Sequence, residues 1–142
     1  MSNLKLKHPE QKIVDATIRL LRRIGYRNII TELQFCERVL DIYAYKKSCS
    51  LAIEAQVKSP TKVFEQASRH KYIADYSLVS ILKNKTNKTA IELSKKLGIG
   101  IIFVRKDSKE RYYAKIFTKG IRSDKKNEYL VKYILEKAGE AK

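Results

Sequence analysis

Asp41 and Glu54 are the residues of this chain best placed to do chemistry together. One sits in each of two strand-like runs, RVLDIYAY (38–45) and SLAIEAQVK (50–58), joined by Lys46, Lys47 and Ser48. A hairpin turning near Lys47 and Ser48 brings the two acids close to opposite positions. Like charges at that distance repel unless a cation lies between them. The repulsion grows where helices cover the sheet and lower the dielectric. Carboxylate oxygens with open positions suit Mg²⁺ or Mn²⁺. A divalent ion held this way polarises a phosphoryl group and activates water, which is the chemistry of phosphodiester cleavage. Gln56 and Lys58 follow Glu54 at every second position and share its face. Lys58 adds a cation able to hold a phosphate or a nucleophilic water.

The surrounding elements follow from periodicity. Residues 9–25 read as a helix, with Pro9 in the first turn, Glu10 at the positive end of the dipole and Gly25 as the stop. Its apolar stripe is Ile13, Ala16, Thr17, Leu20 and Ile24. Residues 28–36 alternate as a strand ahead of the hairpin. A helix over 61–73, a buried strand over 76–82, a helix over 87–97 and an apolar strand over 99–105 come next. Residues 111–117 alternate as an edge strand, and a last helix covers 124–138. The stretch AIELSKKLGIG (90–100) opens like a helix-turn-helix, but the β-like run Ile101 to Val104 follows where a recognition helix is needed. The order α-β-β-β-α-β-α-β-β-α implies an α/β fold: one mixed sheet flanked by helices on both faces.

Charge narrows the partners. Among 142 residues, 31 Lys and Arg stand against 15 Asp and Glu, a net charge of +16. Such an excess points to a polyanion, or to a merely solubilising surface. DNA is the expected partner, with RNA as an alternative. The basic groups marked for it are Arg22, Arg23, Lys46, Lys47, Lys62, Arg69 and Lys71. No run reaches the roughly 18 apolar residues of a spanning helix, so no membrane role and a soluble, cytoplasmic protein are expected. Cys36 and Cys49 form no CxxC pair, and His8 and His70 lack zinc-ligand spacing. The length suits a single domain over 1–142.

Asp41, Glu54 and Gln56 on the second and third strands, after a helix carrying Glu10, resemble the PD-(D/E)xK nuclease superfamily. The look is nearest to archaeal Holliday-junction resolvases. The resemblance covers roughly residues 8–82, within a nuclease-like core of about 8–105. It implies a restriction-endonuclease-like fold with an α-β-β-β-α-β core followed by α-β-β-α. It also implies a metal-dependent DNA endonuclease acting as a homodimer with Mg²⁺ or Mn²⁺. Asp41 and Glu54 would bind the metal, and Glu10 would complete the site. Gln56 or Lys58 would orient water or neutralise charge. Gln66 resembles a glutamine often placed beside the site, and His70, one turn on, reads as a surface or DNA-facing residue. Glu32, on the neighbouring strand, is an alternative to Glu10.

The sequence departs from the pattern in two places. Gln56 stands where the lysine is usual, with lysine two residues later at Lys58, about 6.6 Å further along a strand. Leu40, not proline, precedes Asp41. A catalytically inactive DNA-binding protein, or a nuclease-complex subunit with the same fold, is therefore the rival reading. Each residue also has a plainer one: Asp41 solvated on an open face, Glu54 and Lys58 a surface ion pair, Glu10 a dipole-compensating acid.

Overall fold

A computed structural model describes residues 8–35, 37–57, 60–83 and 87–140. The first helix, α1, spans His8–Arg23 and buries Ile13, Ala16, Thr17, Leu20 and Leu21 against the sheet. Ile24, expected on this stripe, is instead 39% exposed, because the helix has already ended. Gly25 takes a φ of +102°, its N–H bonds the Arg22 carbonyl, and the Tyr26 N–H reaches back to Leu21. That double closure satisfies the last carbonyls and demands the left-handed residue that glycine supplies.

Six strands follow: β1 Asn28–Phe35, β2 Arg38–Lys46, β3 Cys49–Gln56, β4 Tyr76–Leu82, β5 Ile99–Lys106 and β6 Tyr112–Gly120. They lie side by side in chain order. β1, β2 and β3 form an antiparallel meander, β4 and β5 run parallel to β3, and β6 returns antiparallel. The parallel steps are bridged by α2 (Pro60–Ser68), a 3-10 turn (Arg69–Tyr72) and α3 (Lys88–Leu97). A last helix, α4, spans Glu128–Glu140. The expected mixed sheet and element order are therefore present, including the strand after α3 that rules out a helix-turn-helix there.

Other boundaries differ from expectation, and β6 runs on to Gly120 instead of ending at 117. β3 ends at Gln56, two residues short. The helix expected over 61–73 breaks into α2 and the 3-10 turn. α4 starts at Glu128, not at 124, because the Asn127 side chain accepts the Leu130 N–H and caps the helix there.

The two faces of the sheet are packed differently. α1 lies on one, over Ile42, Ala44, Leu51, Ile53, Leu78, Ile102 and Val104. On the other, α2 and α3 cover Val79, Ile81, Ile99, Ile101 and Phe103. α4 covers Tyr43 and Leu33 on that side. At the far edge Gly100 lets two backbones close: a Cβ there would stand 2.5 Å from the Thr118 carbonyl oxygen. Among the described residues no helix is long and apolar enough to cross a membrane.

Candidate functional site

The β2–β3 hairpin turns tightly, with Lys46 paired to Cys49 and only Lys47 and Ser48 between. The same register pairs Ile42 with Ile53, and one step further sets Asp41 across from Glu54. Alternation puts both on the face covered by α2. Asp41 is half-buried and its Oδ2 accepts the Ala55 N–H at 2.8 Å. Glu54 is 6% exposed. Its Oε2 lies 2.6 Å from His70 Nε2.

His70 corrects an expectation. It is 2% exposed, on the 3-10 turn, and touches Glu54 instead of solvent. The signal was in the sequence: Val63, Ala67 and His70 recur at helical spacing, and the first two are fully buried. A histidine at the end of that stripe follows it inward.

Two buried groups and a half-buried one so close cannot all carry their ordinary charge. Burial pushes the Asp41 carboxyl up to about 7, and the Glu54 charge adds to the rise, against the pull of the Ala55 N–H. Burial likewise pushes Glu54 up to about 7; sharing a proton with Asp41 opposes this, and the charge of Glu10 reinforces it. Burial lowers His70 to about 4, with Arg38 and Arg69 helping and Asp41 opposing. The 2.6 Å contact is thus a short bond through one proton, with the imidazole neutral and not a full ion pair. Among the described residues, neither Asp41 nor Glu54 forms an ion pair with a lysine or arginine.

The other predicted residues fall into distinct places. Glu10, in the first turn of α1, is near enough for its charge to act on Glu54. Gln56 ends β3, half-buried, with its Oε1 accepting the Val57 N–H at 3.3 Å. Lys58 lies outside the described residues, as does Cys36. Gln66 is half-buried on α2, one turn before His70. Glu32 stands across from Asp41, between the pairs Thr31–Ile42 and Leu33–Leu40, but is exposed with a φ of 54°.

The basic residues separate into two ends of the sheet. Arg69 and Lys62 are exposed on the elements that follow β3. Arg38, at the start of β2, joins them; its charge acts on His70, and the sequence reading passed over it. Lys46 and Lys47 lie at the hairpin turn, about 20 Å along the strands from Asp41. Lys46 bonds the Ile24 carbonyl at 2.8 Å and lies over the Tyr26 ring, so it closes the end of α1. Arg22 and Arg23 stand in the last turn of α1, about 18 Å down the helix from Glu10, and Arg23 Nη2 bonds the Ala114 carbonyl of β6 at 3.5 Å. Lys71 bonds the Leu97 carbonyl at the end of α3.

A second buried acid, Asp75, lies at that far end and was not singled out in the sequence. It is 4% exposed and accepts from the Ser50 N–H at 2.8 Å and the Ser50 hydroxyl at 3.0 Å. Lys126 and Arg122 reach it at 3.1 and 3.2 Å. Burial raises its carboxyl, but the Lys126 and Ser50 bonds outweigh that and leave it below the usual range.

No family model matches the chain, and no curated protein matches it. Among solved structures, Pyrococcus furiosus SfsA, determined in complex with Ca²⁺, is similar over 84% of this chain at 12% identity and a TM-score of 0.45. The chain spans 64% of that protein's length.

Proposed function

We propose that this chain is a metal-dependent DNA endonuclease with Asp41 and Glu54 as the ligands of Mg²⁺ or Mn²⁺. The observation that carries the reading is the pair itself: two facing carboxyls, Glu54 buried and Asp41 half-buried, both pushed up by burial to about 7. Natural sheets rarely keep such a repulsion without a cation to relieve it. The donor set fits a hard ion. No group of three or more His, Cys, Asp or Glu able to hold a metal is present among the described residues. Two carboxylates suffice for Mg²⁺, which keeps several waters and takes its other oxygens from substrate phosphates.

When bound, such an ion supplies Lewis acidity toward a phosphoryl oxygen and lowers the pKa of water. The chain's own residues do the rest. The Ala55 N–H fixes the Asp41 carboxylate, and His70 fixes one oxygen of Glu54, leaving the other to face Asp41. Glu10 completes the acidic wall. Gln56, and Lys58 beyond it, would orient water or neutralise charge on the phosphate. Arg38, Arg69 and Lys62 are the cations proposed to receive the DNA backbone at this end. Cutting both strands of a symmetric DNA calls for two such sites, so a homodimer is part of the proposal.

The test is cleavage of labelled duplex, single-stranded and four-way-junction DNA with Mg²⁺ or Mn²⁺. Cleavage by the wild type that is lost in Asp41→Ala and Glu54→Ala is expected. Binding of every DNA without cleavage by either metal would sink the reading. That result would favour the rival, an inactive DNA-binding protein or nuclease-complex subunit, for which Gln56 in the usual lysine position is the specific observation.

A further inference from the structure

The helices cover the sheet unevenly. On the α2–α3 face β3, β4 and the first half of β5 are covered, but β6 is not: Tyr113, Lys115 and Phe117 alternate outward, all exposed. A cleft of about 140 Å³ lies there, lined by Lys83, Phe103, Arg105, Tyr113, Lys115 and Phe117, with Ile116 beneath. Phe103 and Phe117 meet edge to face at 5.3 Å between ring centres. Lys83 Nζ sits 5.1 Å from the centre of Phe103. Tyr113 is 43% and Phe117 53% exposed, a costly display of apolar area for an isolated chain. Among the described residues no acid lines the cleft.

Its position in the ladder ties it to the acid pair. Gln56 pairs with Ile81, Ile81 with Phe103, and Phe103 with Lys115. Partners in a ladder share a face, so this row runs across the sheet from the end of β3 to the edge, about 14 Å over three strand spacings. Arg105 and Tyr113 form the next row outward.

We propose that this open face of β5 and β6 is a platform for a single-stranded DNA segment, its bases stacking on Tyr113 and Phe117 and its phosphates held by Lys83, Arg105 and Lys115. The placement of this strand beside a cutting site rests on the nuclease reading. Charge selects the occupant. A second copy docked here about a twofold axis would set three cations against the same three, which is repulsive. A polyanion with planar rings satisfies both parts of the surface at once. Duplex DNA keeps its base faces hidden and would gain only the phosphate contacts.

The test uses fluorescence anisotropy on the full chain without divalent ions. The probes are an oligothymidylate of about 12 nucleotides, an abasic strand of equal length and a duplex. The oligothymidylate is expected to bind tightest. The double variant Tyr113→Ala/Phe117→Ala should weaken it by about tenfold or more, with abasic and duplex binding little changed. Lys115→Glu, which keeps both rings, should weaken all three. Both ring positions are exposed, and an unchanged thermal midpoint verifies folding. Equal binding of the abasic strand and oligothymidylate, indifferent to ring removal, would overturn the platform. So would a wild-type dimer that Phe117→Ala dissolves. The two readings fail separately. Ring-dependent binding by a protein that cuts no DNA with Mg²⁺ leaves the platform and removes the nuclease. Asp41-dependent cutting with ring-independent binding does the reverse.

Discussion

The sheet carries buried carboxylates at both ends, and they are treated in opposite ways. At one end Asp75 meets two cations, a hydroxyl and a backbone N–H, and its proton is held more loosely than usual. At the other, Asp41 and Glu54 meet each other and a neutral histidine, and their protons are held more tightly. Asp75 belongs to a closed arrangement that ties the segment before α4 to the hairpin. The acid pair has no lysine or arginine partner among the described residues. The first is how a fold uses a buried acid for itself. The second costs the fold stability and is the pattern of a site that awaits a ligand.

Substitutions should separate the two ends by what each loses. Asp41→Asn and Glu54→Gln are expected to lower Mg²⁺-dependent DNA cleavage by about a thousandfold or more, each decade being about 1.4 kcal/mol, measured as single-turnover rates. Yet neither should destabilise the fold by more than about 1 kcal/mol, because each removes a buried like charge. Asp75→Ala should behave inversely. It leaves Lys126 and the Ser50 N–H without their partner, at about 2–4 kcal/mol in chemical denaturation, while cleavage at permissive temperature persists. His70→Asn should reduce cleavage by about 10–100-fold and raise the Mg²⁺ concentration needed for half-maximal rate, since it loosens Glu54. An unchanged Mg²⁺ requirement would make His70 a packing residue.

The effects of pH on stability carry opposed signs. Unfolded, Asp41 and Glu54 release protons near 3.8 and 4.5; folded, near 7. The folded chain binds more protons between those values, so their contribution falls as pH rises across that window. His70 runs against them: its pKa drops from 6.5 to about 4 on folding, so its contribution rises with pH between those values. Two losses outweigh one gain, and metal-free stability should fall from about pH 4.5 to 7. The thermal midpoint of the wild type followed across that range measures it, subtraction of the Asp41→Asn/Glu54→Gln midpoint isolates the part due to the acids, and saturating Mg²⁺ should erase the fall. Asp75 contributes in the other direction: its lowered carboxyl adds stability above pH 3.8 that is lost as acid protonates it.

Much of this was legible in the chain. The hairpin register follows from alternation and a two-residue turn, so the facing of Asp41 and Glu54 could be read from spacing. The strand after α3 was legible because Ile99 to Val104 has no helical period. The Asp75 group was not, because Ser50, Asp75, Arg122 and Lys126 come from four separated segments and no local pattern joins them. The division of the basic residues was hidden for a related reason. Lys46 and Lys71 have the composition of phosphate contacts, and only the fold shows their charges directed at the carbonyls of Ile24 and Leu97.

The strand order has a consequence for how the molecule is made. Every strand pairs with its neighbour in sequence, so the sheet can zip from the hairpin outward as the chain leaves the ribosome, without waiting for a distant partner. The two acids are then brought face to face early, in the β2–β3 hairpin, while His70 arrives only when the following crossover docks. During that interval the nascent hairpin carries its carboxylates in water, where their repulsion is weak. The cost of burying them falls on a later step, so a divalent ion present at that stage would speed docking of the crossover and leave hairpin formation unchanged.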